Sequence, residues 1–317
     1  MSLLLRFVPV FVVSTIVLSG CTATPAPVID QAVTIDNCGA EVTFDAAPER
    51  VITIKSSTTE MLLALGLEDR IVGTAFQDGP VPEQWADAAA GLTSLSEQFP
   101  SEEVVLENEP DLVYAGWESA FSAETAGERA ELASLGVATY VSPSACRSIQ
   151  PPKLTFDDVF AEIEQVASIF RVDASSLVAE QRAALEGLEA PGDDRSALWY
   201  SSGTDTPYVG AGIGAPQLVL ETLGLDNVAG AVDATWAPFT WESVVDADPY
   251  FIVLVDATWN TAASKIASLE ANPATASLSA VVEGRYLVVP FAASEAGVRS
   301  VDTVVSLATQ IRDLDGS

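Results

Sequence analysis

Residues 155–188, TFDDVFAEIEQVASIFRVDASSLVAEQRAALEGL, govern how the rest of the chain is read. Thr155 is followed three positions later by Asp158, an N-cap with an acid placed to answer it, so a helix starts there. Phe156, Val159, Phe160, Ile163, Val166, Ala167 and Phe170 recur at three- and four-residue steps and form one apolar stripe. Asp173 is read as the cap of a second helix carrying Leu177, Val178, Gln181, Leu185 and Leu188, which Ala190-Pro191-Gly192 ends. A helix of about 15 residues spans roughly 22 Å at 1.5 Å per residue, enough to act as a stiff strut. The span is therefore read as a connector over residues 155–191, the alternative being one more helix of a single domain.

The flanking halves favour the connector. On the N-terminal side, β-branched or buried-type runs at 50–54, 70–74, 111–115 and 138–141 alternate with helical stretches; on the C-terminal side the runs are 197–201, 251–255 and 286–289, with a last helix from about 300 to 311. The halves also echo each other. EMLLALGLEDRIVG (60–73) answers QLVLETLGLDNVAG (217–230), and Glu103 and Glu242 each stand seven residues before a proline, Pro110 and Pro249, that enters a strand. Alternating strands and helices argue for parallel βα units. The expected fold is α/β: two parallel-sheet lobes, residues 34–154 and 192–317, bridged by a single long helix. A chain of 317 residues also exceeds the size at which one core keeps growing.

Acidic residues outnumber basic ones 45 to 14, and with no histidine the formal net charge is −31. Such a field repels phosphate backbones and anionic headgroups, which argues against nucleic-acid binding and polybasic membrane contact. Arg6 precedes an apolar run at 7–18 that is short for a membrane span and reads as an export signal over residues 1–20. It ends in LSGC (18–21), which resembles the lipobox of bacterial lipoproteins; Cys21 would then be acylated and anchor an extracytoplasmic chain to the cell membrane, the alternative being an ordinary buried cysteine. The Thr-, Ala- and Pro-rich stretch at 21–33 suits a tether. Cys38 and Cys146 are left, and in an exported chain they most simply form one disulfide, with two free thiols the alternative.

In open parallel sheets the ligand site lies beyond the carboxyl ends of the strands. Those ends offer Lys55, Ser56, Ser57, Phe76, Trp117, Glu118, Ser142, Ser202, Trp259 and the 294–299 segment ending in Arg299, and neighbouring loops add Tyr208, Trp236 and Phe239. Aromatic bodies with a few hydroxyls and one or two cations suit a large, flat ligand with polar edges. Each aromatic taken alone reads more readily as core packing than as site; it is their gathering at strand ends that points to a site. In so acidic a chain an anionic ligand needs local cations, and Lys55 and Arg299 are the expected pair, the alternative for Arg299 being a helix-start residue paired with Glu295, with Trp117, Trp236 and Trp259 stacking on the ring. The glycines at 210–214 lack dinucleotide-fingerprint spacing and are read as a tight turn into a helix opened by Pro216.

PERVITI (48–54), TEMLLALGL (59–67), Glu103 through PDLV (110–113) and GLDNV (224–228) give a chain that resembles ABC-transporter substrate-binding proteins of the cobalamin and iron-siderophore type over residues 34–313. The resemblance implies two lobes bridged by one helix, little lobe closure, and a ligand held between the lobes for delivery to a permease and its ATPase by a monomeric binding protein. It further implies that a glutamate on each lobe pairs with permease arginines; the matching positions are Glu103 and Glu242, otherwise two solvated helix-start residues. VVLE (104–107), YAGWES (114–119), TPYVGAGIGAP (206–216) and VVPFA (288–292) look closest to a subgroup proposed to bind coenzyme F420-0, a deazaflavin precursor with an acidic tail. Catalysis is not expected, since histidine, a free thiol and a Gly-x-Ser-x-Gly elbow are all lacking. A zinc or manganese carrier would need imidazoles, and no metal or resident cofactor is expected, the alternative being a carboxylate-only Ca²⁺ site, for which the Asp-x-Asp-x-Asp-Gly spacing is lacking. The rival of another class is a surface lipoprotein without a transport role.

Overall fold

In the computed structural model, which describes residues 31–316, the cap at Thr155 forms as expected: its hydroxyl accepts the Asp158 amide at 3.2 Å while the Asp158 carboxylate accepts the Thr155 amide at 2.8 Å. The helix runs Phe156–Phe170 with Val159, Phe160, Ile163, Val166, Ala167 and Phe170 buried, and Arg171 stops it in a left-handed conformation. The second helix, Ser175–Glu186, departs slightly from expectation. Asp173 stands one residue outside the cap position, which Ala174 occupies, and its carboxylate accepts the Ser175 amide at 2.9 Å. The expected export signal and Cys21 lie outside the described residues.

In chain order the elements are a hairpin of β1 (Val33–Asn37) and β2 (Ala40–Phe44), then β3 (Val51–Ile54), α1 (Ser56–Ala64), β4 (Ile71–Ala75), α2 (Ala86–Ala89), β5 (Ser94–Ser96), α3 (Glu102–Glu107), β6 (Leu112–Ala115), α4 (Arg129–Ser134) and β7 (Ala138–Val141). After α5 (Phe156–Phe170) and α6 (Ser175–Glu186) come β8 (Ser196–Ser202), β9 (Tyr208–Gly210), α7 (Ala215–Thr222), β10 (Asp226–Asn227), β11 (Trp236–Pro238), α8 (Trp241–Ala247), β12 (Phe251–Asp256), α9 (Ala262–Ala271), α10 (Ser279–Val282), β13 (Tyr286–Pro290) and α11 (Ser300–Asp315).

The first lobe is built on a five-stranded sheet in the order β5-β4-β3-β6-β7, parallel throughout. The second sheet runs β11-β9-β8-β12-β13, with β10 beside the start of β8. One strand departs from the expected parallel arrangement: β9 runs antiparallel to both of its neighbours, β8 and β11. The connection between Ser202 and Tyr208 is too short for a parallel crossover, which takes about a dozen residues or more, so the chain can only turn back as a hairpin.

The α5 stripe does not stand free between the sheets. It shares one core with Met61, Tyr114 and Tyr140 of the first lobe and with Leu218, Val298 and Val301 from the second half of the chain. Glu162 is buried on that helix and accepts the Tyr114 hydroxyl at 3.1 Å; burial pushes its carboxyl up to about 7. The sequence repeat is also a structural repeat. Gly66 and Gly224 follow α1 and α7 with φ of 68° and 70°, and the next amides, Leu67 and Leu225, both reach back 2.9 Å to Leu62 and Leu220. Two exposed strand edges are closed by carboxamides that imitate a neighbouring strand: Asn37 pairs with both backbone groups of Val141, and Gln310 with both of Val288. Cys38 and Cys146 are disulfide-bonded, tying the hairpin to the loop after β7.

Candidate functional site

Strand order reverses at β3, whose neighbours are β4 on one side and β6 on the other, so a crevice opens at their carboxyl ends. Gly116 follows β6 there, and a Cβ at that position would sit 2.8 Å from Ser57 Oγ and 3.0 Å from Lys55 Cβ. The close approach therefore requires glycine. Lys55, directly after β3, is 1 % exposed and adopts φ 86°, a conformation that side-chain-bearing residues avoid.

What holds Lys55 in place is a closed set of partners. Its ammonium pairs with the buried Asp78 carboxylate. It also lies 3.9 Å from the Trp117 ring, 4.2 Å from Phe76 and 4.8 Å from Phe291. Asp78 in turn accepts the Ser56 amide at 3.3 Å, and its own amide donates to Ser56 Oγ at 2.8 Å. Phe291 comes from the second lobe, so this cation joins the two lobes beneath the crevice.

Above it lies a cavity of about 270 Å³ walled by Trp117, Tyr208, Trp236, Trp259 and Phe291, with Ser201, Ser202 and Thr235 as hydroxyls and Arg147 and Glu295 as the charged groups. Tyr208 and Trp236 sit on adjacent antiparallel strands with rings 10° from parallel. Trp259 is 63 % exposed, too much for a packing residue, and its loop is held from below by the buried Lys265, which donates to the carbonyls of Val255 (2.5 Å) and Asn260 (2.6 Å).

Of the residues expected from strand ends and neighbouring loops, Trp117, Ser202, Tyr208, Trp236 and Trp259 meet around this cavity. Lys55, Ser56 and Phe76 lie behind Trp117 in the cluster just described, and Ser57 packs against Gly116. Ser142 is buried beside Glu162. Glu118 holds the disulfide loop: its carboxylate accepts the amides of Arg147 and Ser148, the latter at 2.8 Å, and although burial raises its pKa these bonds bring it below the usual value. Phe239 packs into the second lobe's core. Arg299 does not reach the cavity; it pairs at 3.2 Å with Glu60, a buried acid of α1 whose carboxyl burial lifts to about 7. The expectation that Lys55 and Arg299 stand ready for an anion is thereby corrected, because each is already matched by a buried protein carboxylate.

Sequence reasoning missed Arg147, the cation that does line the cavity, although its place beside Cys146 after a strand end was a usable signal. The glycine run does lead into the helix that Pro216 opens, with Gly214 at its N-cap. Gly212 is needed for closeness rather than for a turn, since a Cβ there would lie 2.2 Å from the Gly230 carbonyl. The backbone contact it allows continues with Ile213 donating to Ala234 and Ala211 to Thr235, which sets Trp236 in the wall.

A family model described as "Periplasmic binding protein" matches residues 51–293. The chain belongs to the periplasmic binding protein family. This periplasmic binding protein is 24 % identical over 290 residues, 88 % of the chain and 85 % of the relative, to the uncharacterized ABC transporter substrate-binding lipoprotein YvrC of Bacillus subtilis. Among solved structures it is similar to a periplasmic binding protein from Veillonella parvula, with a TM-score of 0.78, 28 % identity and coverage of 89 % of this chain and 98 % of that one. It is likewise similar to an ABC-type Fe3+-hydroxamate transport system protein from Saccharomonospora viridis, with a TM-score of 0.75, 30 % identity and coverage of 90 % and 99 %. The heme-binding protein RhuT from Roseiflexus shares the fold at 20 % identity, with a TM-score of 0.64 and coverage of 84 % and 98 %.

Proposed function

We propose that this periplasmic binding protein captures a flat, conjugated organic ligand bearing an acidic appendage, with a deazaflavin precursor such as coenzyme F420-0 the specific candidate. The protein is the substrate-binding component of an ABC importer. The observation that carries the ligand reading is the wall of five aromatic rings drawn from both lobes around a cavity whose cation is Arg147. Aromatic faces of this kind favour a planar ring, and an arginine takes a phosphate or carboxylate bidentately. A cavity of about 270 Å³ falls just under the ~300–1,000 Å³ of drug-sized sites, so it encloses the ring while a tail lies at the mouth beside Arg147. A ferric hydroxamate is the second reading, favoured by the Saccharomonospora relative.

Tryptophan fluorescence titrated with a deazaflavin precursor, a cobalamin and a ferric hydroxamate separates these. Saturable quenching by the deazaflavin, weakened about tenfold or more in Trp236→Ala, is the expected result. Tight binding of the hydroxamate or the cobalamin with no deazaflavin response would reject the flat-ring reading and leave the transporter class standing.

Glu103 and Glu242 are the proposed contacts to the permease and so to its ATPase. Each is exposed in the first turn of a short helix, α3 capped by Ser101 on the Val104 amide and α8 capped by Thr240 on the Ser243 amide. Single surface ion pairs are weak, so both acids must be changed together. Glu103→Lys with Glu242→Lys is expected to abolish uptake by cells with ligand affinity intact; unimpaired uptake would show that the acids are merely solvated. No helix among the described residues is long and apolar enough to cross a membrane, and attachment through an acylated Cys21 completes the proposal, in keeping with the lipoprotein relative.

A further inference from the structure

The cavity contains one acid that the reading above leaves without a task. Glu295 follows β13 and lines the cavity beside Phe291, with Trp117 and Trp259 as neighbouring walls. No ion pair reaches it among the described residues. Lys55, a buried cation whose charge acts on it, is paired with Asp78, and Arg147 acts on it only through space. Glu295 itself lines the cavity, where a carboxylate offers acceptors and no donor to whatever binds. A carboxyl group placed among aromatic rings loses its water when the ring arrives and must receive a donor in return.

We propose that Glu295 selects the ligand by accepting a hydrogen bond from a donor on the edge of the bound ring, an imide N–H in the deazaflavin class. The proposal rests on the flat-ring reading and deepens it: the aromatic walls accept any planar ring, whereas Glu295 rejects rings whose edge carries no donor. A site that hydrogen-bonds a substrate group discriminates against the analogue lacking it far more strongly than apolar contact does, because the buried partner is left unpaired. Ring selection and tail capture are thus divided between Glu295 and Arg147.

The charged groups facing Glu295 are Lys55, Asp78 and Arg147. Burial is the largest influence and lifts the Glu295 carboxyl to about 7, against the opposing pull of Lys55. The bound ring favours the ionised acid, the better acceptor. Binding of a neutral ring therefore strengthens as pH rises through 7.

The test uses the intact protein and tailless 5-deazaflavins without an ionisable ring hydroxyl, one with a free imide and one N-methylated there, titrated by tryptophan quenching at pH 6 and pH 8. The free imide is expected to bind about 10- to 100-fold more tightly than its methylated counterpart. Glu295→Ala should remove that preference, and Glu295→Gln should remove the gain between pH 6 and pH 8. Equal binding of both rings by the wild type, or an undiminished preference in Glu295→Ala, overturns the proposal while leaving the flat-ring reading intact. Should either variant fail to fold, the wild-type comparison still decides. Failure of both rings to bind the wild type overturns the flat-ring reading and this proposal with it.

Discussion

Replacing Lys55 by methionine is expected to lower the unfolding free energy by about 3–5 kcal/mol at pH 8, the loss typical when one member of a buried ion pair is removed and the other is stranded. Asp78 is the stranded partner; its side chain is only 3 % exposed, and the amide of Ser56 alone cannot replace an ammonium. The contacts of Lys55 with the Trp117, Phe76 and Phe291 rings are lost as well, and as Trp117 and Phe291 also wall the cavity, ligand affinity should fall with stability. The pH dependence has a definite sign. Burial already raises the Asp78 carboxyl, with Lys55 as the main opposing pull; without Lys55 the Ser56 amide alone opposes that push and the carboxyl rises further. A carboxyl raised on folding favours the folded state below its unfolded pKa of about 3.9 and loses that advantage as pH climbs through the folded value. The deficit of the variant should therefore be largest near pH 8 and shrink towards pH 5. Urea unfolding at both pH values measures it, and Lys55→Met with Asp78→Asn should recover much of the loss. A midpoint unchanged by Lys55→Met at pH 8 would mean that the pair contributes nothing.

Cys38→Ser with Cys146→Ser is the second change expected to have a large effect. The bridge spans 108 positions, and in the chain-entropy model a loop of about 100 residues is worth roughly 4.7 kcal/mol, with measured losses of about 2–5 kcal/mol. Function should suffer too, because Cys146 and Arg147 both line the cavity. The loop keeps some anchorage without the bond: Glu118 holds the amides of Arg147 and Ser148, and Ser148 Oγ donates to the Cys38 carbonyl at 2.8 Å. A several-fold loss of affinity for an anionic ligand, rather than its abolition, is the expected result. Wild-type protein unfolded in urea with a reductant should match the double variant. Equal midpoints with and without reductant, once two thiols have been shown to be released, would contradict the expected contribution.

Local rules carried much of the fold. The α5 cap at Thr155 and Asp158, its stripe of apolar residues and the matching turns at Gly66 and Gly224 depend on neighbours three to six positions apart, which the sequence displays directly. The strand ends were readable for the same reason, and Trp117, Ser202 and Trp259 from those ends meet Tyr208 and Trp236 from neighbouring loops around the cavity. Register was less secure. The β9 hairpin was taken for a loop because three residues, Tyr208–Gly210, are too few for alternation to show, and Gly212 was taken for a turn residue although the backbone that requires it lies near Gly230.

By itself, then, the sequence determined where the main helices and the central strands lie, that two α/β halves repeat, and that aromatic side chains gather at one end of the sheets. Which charges remain for a ligand was decided only in the tertiary structure. Lys55 is matched by Asp78 and Arg299 by Glu60, the latter 239 positions away, whereas Arg147 and Glu295 are left facing the cavity. The physical reason is that burying a charge is costly unless an opposite charge meets it, and that meeting is set by how helices and strands distant in sequence pack together.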